Sequence, residues 1–282
     1  MSTSQNPLPK LRELNSLLAA KAPFVLAFSG GLDSRFLAHS ARLAGLEFQA
    51  AHVRGPHVPA ADSEAALAWL AGRGISCIEI EFNPLLILEV AEGSRERCYA
   101  CKRAMFREIL ARAGKLPVLE GSNASDSQKF RPGIKALREL GVLSPLARAG
   151  LTKPEIRALA AQTGLEHPNQ PSRPCLLTRL DYGVYPNDAL LAGLEHAEAA
   201  IAAHGFKNFR LRLFQDKPPL LQIDWQELPQ LEAKRARLEQ ILTLHGYEGA
   251  DIEAEIELSG YFDQQGETKP ADDDLEILRN LF

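Results

Sequence analysis

Long apolar runs are missing from this sequence. No stretch approaches the ~20 uninterrupted apolar residues of a membrane span, and Met1 to Lys21 lacks the apolar centre of a secretory signal. Both absences lead to the expectation of a cytoplasmic protein with no membrane partner. Cysteine is scarce: Cys77, Cys98, Cys101 and Cys175 are too few to staple 282 residues, so they are expected to be reduced and used for chemistry or incidental. No run of Lys and Arg reaches the density of a nucleic-acid-binding tract. The formal charge is only −4, but eleven acids stand against two bases from Glu248 onward. The preceding part therefore carries about +5, which suits a small anionic substrate better than a long nucleic acid. Hydrophobic (45%) and charged (24%) fractions exclude a disordered, collagen-like or coiled-coil chain, and the length suggests two domains.

Strand-like and helix-like segments alternate through the first half. The apolar run Phe24 to Phe28 reads as a buried parallel strand, Arg35 to Leu43 as a helix, Glu47 to Val53 as a strand, Ser63 to Leu70 as a helix and Cys77 to Phe82 as a strand. Helical stretches over Leu85 to Glu92 and Lys102 to Ala113 precede a short strand over Pro117 to Glu120. This order predicts an α/β fold with a doubly wound parallel sheet, whose ligands sit at the carboxyl ends of strands, in the loops after Phe28 and Glu120. Thr152-Lys153-Pro154-Glu155 is a capping box that opens a helix to Thr163. Prolines 168, 171, 174 and 186 then punctuate a segment that cannot be a helix. Beyond it, a helix over Leu190 to His204, strands over Phe209 to Phe214 and Leu220 to Trp225, a helix over Leu231 to Leu244 and a strand over Ile252 to Leu258 predict a smaller α+β unit on an antiparallel sheet. The division expected is 1–166, a connection over 167–187, and 188–282.

Ser29-Gly30-Gly31-Leu32-Asp33-Ser34 lies between the first strand and its helix. Consecutive glycines let backbone N–H groups crowd around an anion, Ser29 and Ser34 add hydroxyl donors, and the helix N-terminus adds partial positive charge. The loop is a phosphate cradle, with Asp33 placed to hold Mg²⁺ on the phosphates. It has neither the lysine and spacing of a Walker A loop nor a G-x-G-x-x-G fingerprint.

At these residues the chain resembles the PP-loop ATP pyrophosphatases, which hold the pyrophosphate of ATP on an S-G-G-x-D-S loop. A second resemblance is more specific. Arg97-Cys98-Tyr99-Ala100-Cys101-Lys102, Gly121-Ser122-Asn123-Ala124, Arg131 to Leu137, Ser144-Pro145-Leu146, Leu151-Thr152-Lys153, Pro174-Cys175-Leu176, Arg179, Tyr182-Gly183 and Leu258-Ser259-Gly260-Tyr261 are similar, in that order, to the LarE family. The resemblance implies an ATP-dependent sulfur transferase that adenylates a carboxylate of a pyridinium-3,5-biscarboxylic acid mononucleotide and converts it to a thiocarboxylate, on the way to a nickel-pincer nucleotide. It implies ATP on Ser29, Gly30, Gly31, Asp33, Ser34 and Gly121, and a nucleophilic Cys175. Single-cysteine members sacrifice that sulfur and turn over once; three-cysteine members bind a [4Fe-4S] cluster, and Cys98, Cys101 and Cys175 match their pattern. It also implies a homo-oligomer, with 1–166 as the ATP-binding unit, 167–187 as the connection carrying Cys175, and 188–282 as the substrate and oligomer unit.

Read from the residues alone, Cys98 and Cys101 leave a structural zinc site, a redox dithiol or a coincidence of spacing open beside the cluster. Cys77, in an apolar strand, is read as a small hydrophobe. A substrate with phosphate and carboxylates calls for arginine forks, and the candidates are Arg97, Arg179, Arg210 and Arg212. Arg97 and Lys102 flank the C-x-x-C pair and are placed to lower its thiol pKa values. Asp224 and Glu198 are candidate acidic partners in the second unit, with solvated carboxylates as the plainer reading. The chain departs from the family pattern at Ser125, Lys129 and Phe130, and lacks the His-Gly after Arg212. Another acceptor, a different small carboxylate or a tRNA base, therefore stays open, as does a non-enzymatic iron–sulfur or nucleotide-binding protein.

Overall fold

The structure is a computed structural model that describes residues 7–128 and 132–263. Lys129, Phe130, Arg131 and the acidic run Asp272 to Asp274 lie outside the described residues. Four strands, β1 (Phe24–Ala27), β2 (Phe48–Arg54), β3 (Cys77–Glu81) and β4 (Val118–Leu119), form an all-parallel sheet in the order β3-β2-β1-β4. Alternation along each strand feeds two cores. Leu26 and Ala50 face α1 (Leu8–Ala19), α2 (Leu32–Leu43), α3 (Ala60–Ala71) and α8 (Lys153–Gln162), whereas Val25 and Ala51 join the core of α5 (Arg97–Ala113) and α6 (Pro132–Glu139). The doubly wound α/β expectation therefore holds. The chain steps outward from β1 to β2 and β3, then returns to lay β4 on the other side of β1. Strand order reverses between β1 and β4, which opens a crevice where their carboxyl-end loops diverge.

A second, three-stranded sheet runs β5-β6-β7, with β5 (Phe209–Arg212), β6 (Leu220–Asp224) and β7 (Asp251–Glu255), beside α9 (Asp188–Ala203) and α10 (Leu228–Leu244). The antiparallel expectation needs correction here. β5 and β6 form an antiparallel pair, but β6 and β7 are parallel. The 17-residue α10 returns the chain to the starting end of β6, so β7 re-enters in the same direction. The core of this unit also takes in Val90, from α4 (Leu88–Ala91), and has Leu85, Ile87, Cys101 and Cys175 packed against it.

Two further differences bear on the site. α5 begins at Arg97 rather than Lys102, so both cysteines of the C-x-x-C pair are helical, three residues apart on one face. The connection is not a free linker: Leu180 bridges to Leu213 beside β5, and residues 176–179 form a 3₁₀ turn. Among the described residues no helix is long and apolar enough to cross a membrane.

Candidate functional site

Gly30 and Gly31 shape the loop between β1 and α2. Gly30 takes φ of +74°, a left-handed conformation that favours glycine, and a Cβ there would fall 2.8 Å from Ala66 Cβ of α3. Gly31 is the N-cap of α2 and brings no side chain, so the first-turn amides of that helix face the crevice uncapped. Ser34 Oγ donates to Gly31 O at 3.0 Å and lies 3.3 Å from Ser29 Oγ, which keeps both hydroxyls at the mouth. The loop after β4 closes the other side: a Cβ on Gly121 would lie 3.2 Å from both Asp33 Cβ and Ser34 N. The two loops singled out in the sequence thus meet, and Ser29, Gly30, Gly31, Asp33, Ser34 and Gly121 share one cradle.

Asp33, expected to hold Mg²⁺, already faces a cation. Lys153 Nζ lies 2.9 and 2.8 Å from its two oxygens, and Asn123 Nδ2 donates to it at 3.4 Å. Burial pushes the Asp33 pKa up, Lys153 pulls it down, and the carboxylate of Asp126 adds repulsion from nearby. Asp126 accepts the N–H of Asn123 at 3.0 Å. The two carboxylates lie close enough to act on one another, and carboxylate oxygens are the ligands a hard divalent cation takes. The resemblance included Lys153, but the sequence reading gave it no role. Its signal was position: a lysine at the first helical residue opposes the helix dipole and needs another reason to be there.

Cys175 and the C-x-x-C pair come together. Cys98 and Cys175 each act electrostatically on Cys101, and Cys175 acts on Cys98. Arg97 and Lys102 do lower these thiols, as expected, but burial outweighs them: Cys98 is pushed up to about 11, and Cys101 and Cys175 also rise. Arg179, the amides of Thr178 and Leu177, and Arg97 pull Cys175 the other way. Among the described residues no three His, Cys, Asp or Glu side chains close on one metal ion. A cluster spreads its thiolates over separate irons, and three mutually interacting thiols on two elements fit that donor set.

The four candidate arginines are all buried. Arg97 donates to Asp181 O and Leu180 O, packs over the Tyr182 ring, and leaves its Nε without a partner. Arg179 holds Glu198 in a two-pronged pair at 2.8 and 2.7 Å, so of its two readings Glu198 takes that of an acidic partner and not of a solvated carboxylate. Asp224 likewise caps a local turn, accepting from Gln226 N at 2.9 Å. Arg210 donates to Phe209 O and Ser172 O, and Arg212 to Gln222 Oε1, Thr178 O and Leu258 O. Burial first, and then the Arg179 charge, pushes Arg210 down to about 9 and Arg212 to about 10. Both remain cationic at neutral pH, and Glu198 is the carboxylate that eases both. The result is a buried surplus of positive charge next to Cys175. Phe214, Tyr261 and Phe262 pack edge to face, and the Tyr261 and Phe262 rings lie 5.3 and 5.6 Å from the Arg212 guanidinium.

No family model matches the chain. It is 28% identical over 211 residues to an uncharacterized protein of Synechocystis, covering 73% of this chain and 79% of that one. It is 30% identical over 186 residues to an uncharacterized protein of Methanocaldococcus jannaschii, covering 62% and 69%. Over 198 residues it is 27% identical to the pyridinium-3,5-bisthiocarboxylic acid mononucleotide synthase of Lactiplantibacillus plantarum, covering 68% and 71%.

Proposed function

The chain belongs to the LarE family, and from that premise we propose that it is an ATP-dependent sulfur transferase acting on a carboxylate of a pyridinium-3,5-biscarboxylic acid mononucleotide. The observation that carries this reading is the buried positive surplus of Arg179, Arg210 and Arg212 beside Cys175, eased by Glu198. A substrate with a phosphate and carboxylates supplies the missing negative charge. Residues 1–166 bind ATP, 167–187 present Cys175, and 188–282 hold the anion and the contacts of a homo-oligomer. The setting is cytoplasmic, with no nucleic acid as partner.

In the first half-reaction a substrate carboxylate oxygen attacks the α-phosphorus of ATP and pyrophosphate leaves. The Ser29 to Ser34 loop holds the pyrophosphate through its amides and hydroxyls. Asp33, with Asp126 nearby, would hold Mg²⁺, which neutralises phosphate charge when bound. Lys153 is then free to follow the charge that develops on the leaving group. In the second half-reaction sulfur attacks the acyl carbon and AMP leaves. Arg179 and Arg97 stabilise negative charge at Cys175 against the opposing effect of burial. Phe214, Tyr261 and Phe262, packed on one another beside Arg212, would help keep water from the acyl adenylate. Cys98, Cys101 and Cys175 would hold a [4Fe-4S] cluster, which supplies sulfur from outside the chain and leaves Cys175 intact.

An anaerobic incubation of iron- and sulfide-reconstituted protein with MgATP, sulfide and the pyridinium biscarboxylate mononucleotide tests this, with product and intact protein read by mass spectrometry. Thiocarboxylate over many turnovers with unmodified Cys175 is the expected result. Product limited to one per chain, with Cys175 converted to dehydroalanine, assigns the sulfur to the cysteine instead. ATP cleavage without a thiolated pyridinium moves the acceptor to another small carboxylate, and no ATP cleavage overturns the assignment.

A further inference from the structure

We propose that Glu195 is a positioning residue that couples the phosphate loop to Cys175 through the amino end of α3; the inference rests on the nucleotide reading above. α3 opens after Pro59, which offers no side chain to cap it. A local Ser, Thr or Asp would ordinarily satisfy such a first turn. Here the N–H of Ala60 donates instead to Glu195 Oε1 on α9, at 2.7 Å and 135 residues away in sequence. The cap therefore exists only while the two units stay together.

Two further ties join the same short stretch to the connection that carries the reactive cysteine. Leu176, the neighbour of Cys175, donates its N–H to His57 O at 2.8 Å. Arg173 pairs with Asp62 in the first turn of α3. Residues on both sides of Cys175 thus hang from residues 57–62. α9 works in two directions, because Glu195 caps α3 while Glu198, three residues on and on the same face, grips Arg179.

The far end of the link is the phosphate loop. Gly30 sits so close to Ala66 of α3 that no Cβ fits between them. α3 is a 12-residue helix, and a packed helix moves as a body. A change in Gly30 as pyrophosphate seats is passed along α3 to its first turn, and from there through three ties to the surroundings of Cys175. The chemistry benefits from this order, since sulfur exposed before the adenylate forms has nothing to attack.

The test uses full-length, iron-free protein with Mg²⁺ and α,β-methylene-ATP, which cannot be cleaved at the relevant bond. Iodoacetamide labelling of Cys175 is followed by mass spectrometry, and analogue affinity by calorimetry. In the wild type the analogue slows Cys175 alkylation about fivefold or more. Glu195→Ala binds the analogue with wild-type affinity but loses that slowing. Glu195→Gln keeps an oxygen acceptor for Ala60 N–H and restores it, which a merely structural role does not predict. Should Glu195→Ala fail to fold, Arg173→Met cuts a second tie and is read in the same way. Slowing retained in full by Glu195→Ala means that the analogue shields Cys175 directly, and the coupling is wrong. A wild type that binds the analogue with no change in alkylation also overturns it. A wild type that does not bind the analogue removes the nucleotide reading itself, and the coupling with it.

Discussion

Lys153 Nζ lies within 2.9 Å of both carboxylate oxygens of Asp33, so the acid of the Ser29 to Ser34 loop is neutralised by the chain's own ammonium. The pair bridges α2 and α8 across the crevice. On the proposed function, it makes Lys153 a cation that can change partners, from Asp33 to a phosphate oxygen, without leaving the site.

If the loop holds ATP as proposed, replacing that cation removes charge stabilisation from the leaving pyrophosphate. Lys153→Met is expected to lower the kcat of ATP cleavage by roughly 10²-fold, the effect of losing one preorganised donor. Pyrophosphate release at saturating MgATP checks it. A rate within twofold of wild type, by the same comparison, leaves Lys153 with a purely structural part.

The doubly wound sheet and both site loops were legible in the sequence because strand, glycine turn and helix follow one another without interruption. The helical placement of Cys98 was not. Arg97 to Ala100 has no apolar period, and the N-cap Glu96 makes no side-chain cap, so neither usual signal marks the start of α5. Glu198 looked like a surface acid for a similar reason: its partner Arg179 lies 19 residues earlier, across a proline-rich segment, and local pattern says nothing of it. The direction of β7 depended on how α10 packs, which periodicity does not report.

Glu198 is partnered in a nearly closed setting, with side-chain exposures of 5% for Arg179 and 12% for Glu198. Removing the acid leaves three neighbouring guanidiniums without it. Glu198→Gln is expected to cost about 3–5 kcal/mol of folding stability, as measured by urea unfolding. Added phosphate or pyrophosphate should recover more stability in the variant than in the wild type. An unchanged unfolding midpoint contradicts the charge surplus.

Gly30 carries both a backbone and a packing demand. An alanine there costs roughly 1–2 kcal/mol for the left-handed conformation alone, and its Cβ meets Ala66 Cβ at 2.8 Å. Gly30→Ala is therefore expected to weaken MgATP binding by about tenfold or more. Adding Ala66→Gly relieves the contact but not the backbone, so calorimetry should find partial recovery. Wild-type affinity in the single variant removes Gly30 from the cradle.

Burial raises the Cys98 thiol from an ordinary value of 9 to about 11. Above pH 9 the unfolded chain loses this proton while the folded one retains it. Stability from this group is thus complete below pH 9 and declines as pH rises towards 11. Iron-free protein should lose stability over that window, less steeply in Cys98→Ser, and native Cys98 should alkylate with a midpoint near 11. A native midpoint at the ordinary value would show an open, solvated thiol.

The bridge from Leu180 to Leu213, the bond from Leu176 to His57, and the packing of Cys175 against the smaller core lace the connection to both units. The two halves are therefore poor candidates for recombination. A chimera that joins the front of one relative to the back of another at the proline-rich seam severs contacts on each side of the cysteine. Exchange can succeed only when residues 57–62, 97–101 and 172–184 travel as one inherited block.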